Sequence, residues 1–147
     1  MKKWLLIGPL LLGMLVFSHA EVLTLVPSSA QWKYVKGTKE PSPSIGAWRA
    51  VPFDDSSWSS SAAPLYYGGN ITQGTQLSDM RYNYTSVYLR KTFSPPSGSY
   101  ENLSLRALSD DGFILWINGE EVLRFNVSPG EIAFDAVASS VVRTASW

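Results

Sequence analysis

Gly112-Phe113-Ile114-Leu115-Trp116-Ile117-Asn118-Gly119-Glu120-Glu121-Val122-Leu123-Arg124-Phe125-Asn126-Val127 holds two short apolar runs on either side of an Asn-Gly pair. A two-residue type I′ turn needs positive φ at both central positions, which Asn and Gly tolerate better than other residues. The spacing predicts a β-hairpin, residues 112–117 paired with residues 122–127. The first run is apolar on both faces, as a strand covered from two sides would be.

Further strands are predicted wherever apolar or β-branched runs are bounded by turn residues. These are residues 21–26, 31–36, 87–93 and 102–108, with weaker candidates at 132–134 and 139–143. In the 102–108 segment Leu103, Leu105 and Ala107 share one face. Residues 48–53 read as a short edge segment, because Pro52 removes a ladder donor. Residues 39–46, with Pro41 and Pro43, read as a loop, and 54–61 as polar and turn-rich. Residues 66–81, with Gly68, Gly69 and Gly74, read as a long surface loop of the kind that carries function. No stretch after Ala20 sustains a helical period. The expected class is all-β, a sandwich or barrel.

The chain has 147 residues, 12 basic and 12 acidic side chains, one histidine and no cysteine. Residues 1–20 read as a secretory signal peptide. Lys2 and Lys3 precede an apolar run from Trp4 to Phe17, and Ser18-His19-Ala20 forms a small-x-small cleavage site. The run is shorter than the roughly 20 residues of a membrane span. The domain expected to remain is residues 21–147, secreted to an extracellular, periplasmic or cell-surface location. Removing the leader removes the only histidine. Ser-His-Asp and Cys-His catalysis and the usual zinc and haem sites then have no residues to use. The absence of a basic stripe argues against a nucleic-acid partner.

Two acidic pairs have chemistry open to them. Asp54-Asp55-Ser56-Ser57-Trp58 offers hard oxygen ligands for calcium beside an indole that a sugar would stack on. The competing reading, which the sequence favours, is an Asx turn that tucks Phe53 and Trp58 into the core. Asp110-Asp111-Gly112 opens the hairpin. It reads either as a calcium or sugar site or as a turn using Asp and Gly for backbone tolerance. A glycosidase would need two such carboxylates held at a fixed separation across one cleft. Tyr66, Tyr67, Tyr82, Tyr84 and Trp116 are the candidates for an aromatic platform, with core packing the default for each. Asn70, Asn83, Asn102 and Asn126 each stand in an Asn-x-Ser/Thr triplet.

Several segments together resemble galactose-binding-domain-like modules of secreted bacterial proteins and β-galactosidase-type enzymes. They are Trp32 to Gly37, Trp48 to Trp58, Ala63 to Gly68, Tyr88-Leu89-Arg90-Lys91-Thr92-Phe93, and Leu103 through Asn126, which includes Asp110-Asp111-Gly112 and Trp116 to Val122. The matches span most of residues 31–140. The resemblance implies a jelly-roll β-sandwich, usually an accessory to another domain, often binding carbohydrate and in some members holding a structural calcium. The Asp110-Asp111-Gly112 turn is also similar to the sugar-binding domain first seen in anthrax protective antigen, where paired aspartates hold calcium and sugar. The family's closing strand has no counterpart after Arg143, so the sandwich is expected to lack its final strand and the chain to be a fragment.

The resulting expectation is a non-catalytic, carbohydrate-binding-like accessory module. Tyr66, Tyr67, Asp110 and Asp111 are its ligand residues, and calcium would sit at Asp110 and Asp111 or at Asp54 and Asp55. The alternative is a structural module packing on a neighbouring glycosidase or phosphoesterase domain. The expected partner is carbohydrate or that neighbouring domain, with no membrane span in the mature chain.

Overall fold

The computed structural model describes residues 22–142. The signal peptide expected at 1–20, Glu21, Arg143 at the end of the last candidate strand, and residues 144–147 lie outside them. Among the described residues the fold is all-β, with seven strands and one 3-10 turn. The strands are β1 (Gln31–Lys36), β2 (Ser59–Ala62), β3 (Leu65–Tyr66), β4 (Thr75–Gln76), β5 (Val87–Arg90), β6 (Phe113–Ile117) and β7 (Glu120–Phe125). They form three small sheets, ordered β2-β1-β5, β3-β4 and β6-β7. No helix among the described residues is long and apolar enough to cross a membrane.

β1 is the centre of the largest sheet. It pairs antiparallel with β2, Gln31 opposite Ala62 and Tyr34 opposite Ser59, and with β5, Lys33 opposite Arg90 and Lys36 opposite Val87. Its aromatic and β-branched residues suit a pleated, half-buried surface. The serines of β2 have weak strand preference of their own. The ladder to β1 recruits them, so the turn-rich reading of 54–61 holds only as far as Trp58.

The hairpin forms as its turn dictates. Asn118 has φ 53° and Gly119 φ 89°, and Ile117 faces Glu120 across the turn. Leu115 faces Leu123 while Trp116 faces Glu121, which makes Val122 the extra residue of a β-bulge. β6 is half-buried along its length rather than doubly covered, and β7 is mostly exposed.

Four predicted strands do not form. Residues 22–26, 102–108, 132–134 and 139–142 carry no ladder. Leu103 is 69% exposed and Leu105 50%, although their alternation fits a strand. A strand needs a neighbour for its N–H and C=O groups, and alternation alone does not supply one. β5 likewise stops at Arg90 instead of running to Phe93. Residues 48–53 also depart from the expected edge segment. Ala47–Arg49 is a 3-10 turn, entered through Gly46 at φ 86°. Ser42 accepts the Trp48 N–H at 3.2 Å and donates to Ser44 O at 2.7 Å, fixing the turn from inside. The long loop at 66–81 holds a short parallel pair, Leu65 opposite Thr75. Thr75 Oγ1 donates to Ala62 O at 2.8 Å and ties that pair to β2.

Trp48 is the hub of the core. It is 7% exposed and meets Trp58 at 6.2 Å, Tyr88 of β5 at 5.2 Å and Trp116 of β6 at 5.3 Å between ring centroids. The last two contacts are edge-to-face, the arrangement ring quadrupoles prefer. One indole thus joins the β2-β1-β5 sheet to the hairpin. Arg49, next in sequence, lies over the Trp116 ring at 4.3 Å and forms a two-pronged ion pair with Glu131.

Candidate functional site

Three of the four paired aspartates, Asp54, Asp55 and Asp111, make hydrogen bonds within the fold. Asp54 Oδ1 accepts the Ser56 N–H at 2.9 Å, the Asx turn anticipated for this stretch, and that bond holds its carboxyl below the ordinary value. Asp55 accepts Arg90 Nε at 2.8 Å. Phe53 and Trp58 meet edge-to-face at 5.9 Å beside them. Asp111 Oδ1 accepts the Val142 N–H at 2.8 Å, and Asp111 O accepts Asn126 Nδ2 at 3.0 Å. The Asp110 carboxyl lies above its ordinary value, chiefly through its hydrogen bond with Asp111, with partial burial and the neighbouring charge adding to the effect. Among the described residues no group of three or more His, Asp or Glu side chains gathers as metal ligands do.

Tyr66 lies half-buried on β3, and Tyr67 beyond it is 45% exposed. No hydrogen bond or ring contact among the described residues links either tyrosine to Asp110 or Asp111. Of the other platform candidates, Tyr84 is buried and Trp116 packs on Trp48. Tyr82 is 92% exposed.

Asn126 is central to the Asp111 region. Its Nδ2 donates to Asp111 O at 3.0 Å and Ser140 O at 2.6 Å, and its Oδ1 accepts Ser140 Oγ at 2.8 Å. Its φ of 52° is one that Asn tolerates better than Ala. Asn126→Ala is expected to cost about 2–3 kcal/mol, from two orphaned carbonyls and the left-handed backbone. A urea unfolding curve checks it, and a midpoint equal to that of the parent chain would refute the role. Asn83 is engaged in the same manner, whereas Asn70 and Asn102 are exposed.

Two open grooves remain. The first, about 570 Å³, is lined by residues including Arg49, Pro52, Asn118 and Glu120. Its cation is already held by Glu131 and the Trp116 ring. The second, about 410 Å³, lies between the start of the 37–38 turn, residues 82–85 and residues 134–135. Both fall in the size range of small-molecule sites.

A hydrogen-bonded network lies beside the second groove. Lys36 Nζ donates to Asp79 Oδ2 at 2.7 Å, and Tyr84 OH donates to Asp79 Oδ1 at 3.0 Å. Gly37 donates its N–H to Ser86 O at 2.9 Å, and a Cβ there would stand 1.9 Å from Ser86 Oγ. Only glycine permits that approach. Ser86 Oγ in turn donates to Phe134 O at 2.6 Å. At the rim, Tyr82 sits at φ 65°, a conformation that costs a bulky residue on the order of 1–2 kcal/mol. Asn83 Nδ2 holds it there, donating to Asp79 O at 2.7 Å and Arg81 O at 3.2 Å. Arg81 lies over the Tyr82 ring at 5.0 Å.

No family model, curated protein or solved structure matches the chain. What this groove and the acidic pairs can do therefore rests on their own geometry.

The Asp79 network has a pH signature. Hydrogen bonds from Lys36, first, and Tyr84 hold the Asp79 carboxyl below its ordinary value of 3.8. A folded value below the unfolded one contributes stability that is complete above pH 3.8 and is lost as pH falls through the depressed value. The Asp79 carboxyl resonance, followed by NMR, is expected to titrate below 3.8, with Asp79→Asn flattening the acid limb of the stability curve. A normal midpoint for that resonance would overturn the assignment.

Proposed function

We propose that the chain is a secreted, non-catalytic, carbohydrate-binding-like accessory module, built on a jelly-roll plan of the galactose-binding-domain-like type. The observation that carries this reading is how the carboxylates are used. Asp54, Asp55, Asp79, Asp111, Glu121 and Glu131 each hold a backbone N–H or a cation. A hydrolase of this composition, with no histidine or cysteine after the leader, would need two acids facing one cleft. An outward tyrosine at an open groove, as Tyr82 is here, is instead the equipment of a sugar-binding surface. The experiment is affinity electrophoresis of the secreted chain, with and without calcium, against plant, algal and host polysaccharides. Retardation by at least one is expected, and silence across the set would sink the reading.

A second reading has its own observation. Leu103, Val137 and Val141 are 69%, 70% and 72% exposed, and Val122 and Phe125 about half. Apolar exposure on this scale suits a module that packs on a neighbouring hydrolase domain. Binding of a hydrophobic dye that disappears when an adjoining domain is supplied would favour it. Absence of dye binding by the isolated chain would count against it.

A further inference from the structure

We infer that the saccharide contact is made at the Tyr82 groove, with the Tyr82 ring as the stacking face and neutral sugars as the ligand class. The inference rests on the carbohydrate-binding reading above and names where it acts. Tyr82 is 92% exposed, so the fold gains almost nothing from burying its ring. It is nevertheless held in a left-handed backbone conformation by its neighbour's side chain, and that neighbour also ties residues 79–83 together. A strained residue whose surroundings fix it in place, while its own side chain does no packing, points to a task outside the fold.

The surroundings suit a pyranose. The ring gives an apolar face for the C–H side of a sugar, and the Arg81 guanidinium stands 5.0 Å from its centroid. Thr38, Thr85 and Asp135 line the groove and bring hydroxyl and carboxylate groups to meet sugar hydroxyls. Beside the groove, the Lys36–Asp79–Tyr84 network and the Gly37–Ser86–Phe134 contacts hold Gly37, Tyr84 and Phe134 of its lining in place, so less ordering is left to binding. Arg81 lies beside Tyr82, Asp135 lines the groove, Lys36 and Asp79 offset each other, and Glu40 accepts the Phe134 N–H. No excess of positive charge gathers there, which gives acidic polymers no advantage. Tyr67, another exposed tyrosine, follows the two-residue β3 and precedes Gly68 and Gly69, around which no atom would meet an added Cβ, so it has no comparable backing.

The test compares the full secreted chain with five variants against galactan, xylan, mannan and mixed-linkage glucan, with polygalacturonate as the acidic probe. Tyr82→Ala is expected to weaken binding to the retained neutral polymer at least about tenfold. Tyr82→Trp should keep it, and Tyr67→Ala and Asp110→Asn should leave it unchanged. Tyr82→Asn, which suits the left-handed backbone, repeats the test where alanine disturbs the turn. Retention of full binding by both Tyr82→Ala and Tyr82→Asn, with the parent chain binding, overturns the site while leaving the module reading intact. Binding only to polygalacturonate overturns the ligand class. Binding to none of the polymers overturns both the inference and the reading it rests on.

Discussion

Trp48→Ala is expected to cost about 4 kcal/mol, enough to lower the melting temperature by about 15 °C in a domain of this size. The indole is 7% exposed and meets three other aromatic rings, each from a different part of the chain. Deleting it leaves a cavity lined by Trp58, Tyr88 and Trp116, and rings of that size collapse poorly into a void. No side chain in this core is wholly shielded, so there is little else to compensate. Trp48→Phe should cost roughly a third as much, because it keeps one aromatic edge in place. Chemical denaturation followed by circular dichroism is the measurement. A loss under about 1 kcal/mol for the alanine variant would mean that the hairpin and the main sheet are held together elsewhere.

Arg90→Ala follows, at about 2–3 kcal/mol. The Arg90 guanidinium is 14% exposed. It donates to Asp55 at 2.8 Å, to Trp48 O and to Ala50 O at 3.1 Å, and it lies over the Phe53 ring at 5.3 Å. Removing it strands a part-buried carboxylate and leaves carbonyls at and just after the 3-10 turn without a donor. The figure sits below that for a fully buried pair because Asp55 keeps 27% exposure and water can reach it. Arg90→Lys should recover less than half, since an ammonium cannot reach the carboxylate and the carbonyls together. Full recovery by lysine, in the same denaturation assay, would show that charge alone matters there. A double-mutant cycle with Asp55→Ala separates the ion pair from the carbonyl bonds.

What could be read from the residues differs by region for a physical reason. The hairpin was legible because its turn chemistry is local: Asn118 and Gly119 alone specify it. β1 was legible because its side chains favour a strand wherever a partner appears. Residues 102–108 have the same alternation and no strand, because pairing is decided by a distant neighbour. The 3-10 turn at Trp48 depends on Ser42 six residues earlier, which no periodicity records. At the candidate site, the Asx turn at Asp54 was readable from its sequence, and so was the competition between structural and ligand roles for both acidic pairs. The partners of those acids were not, since Arg90 and Val142 lie 35 and 31 residues away. Tyr82 was visible as one aromatic among five. Its exposure comes from the left-handed turn that Asn83 stabilises, and the Tyr82-Asn83 pair was the only local hint of it.

The junction at Trp48 has one more consequence. Strands that share a ladder are locked in steps of one residue, and a slip of one step turns every side chain to the opposite face. Stacked and edge-on rings have no such step. No backbone ladder joins β6-β7 to β2-β1-β5, so a pairing error in one sheet has no route into the other. The connection through residues 91–109 can lengthen or shorten without changing the register on either side. The two halves of this fold are tuned independently and meet through the shape of an indole and through Arg49, which lies over the Trp116 ring and grips Glu131.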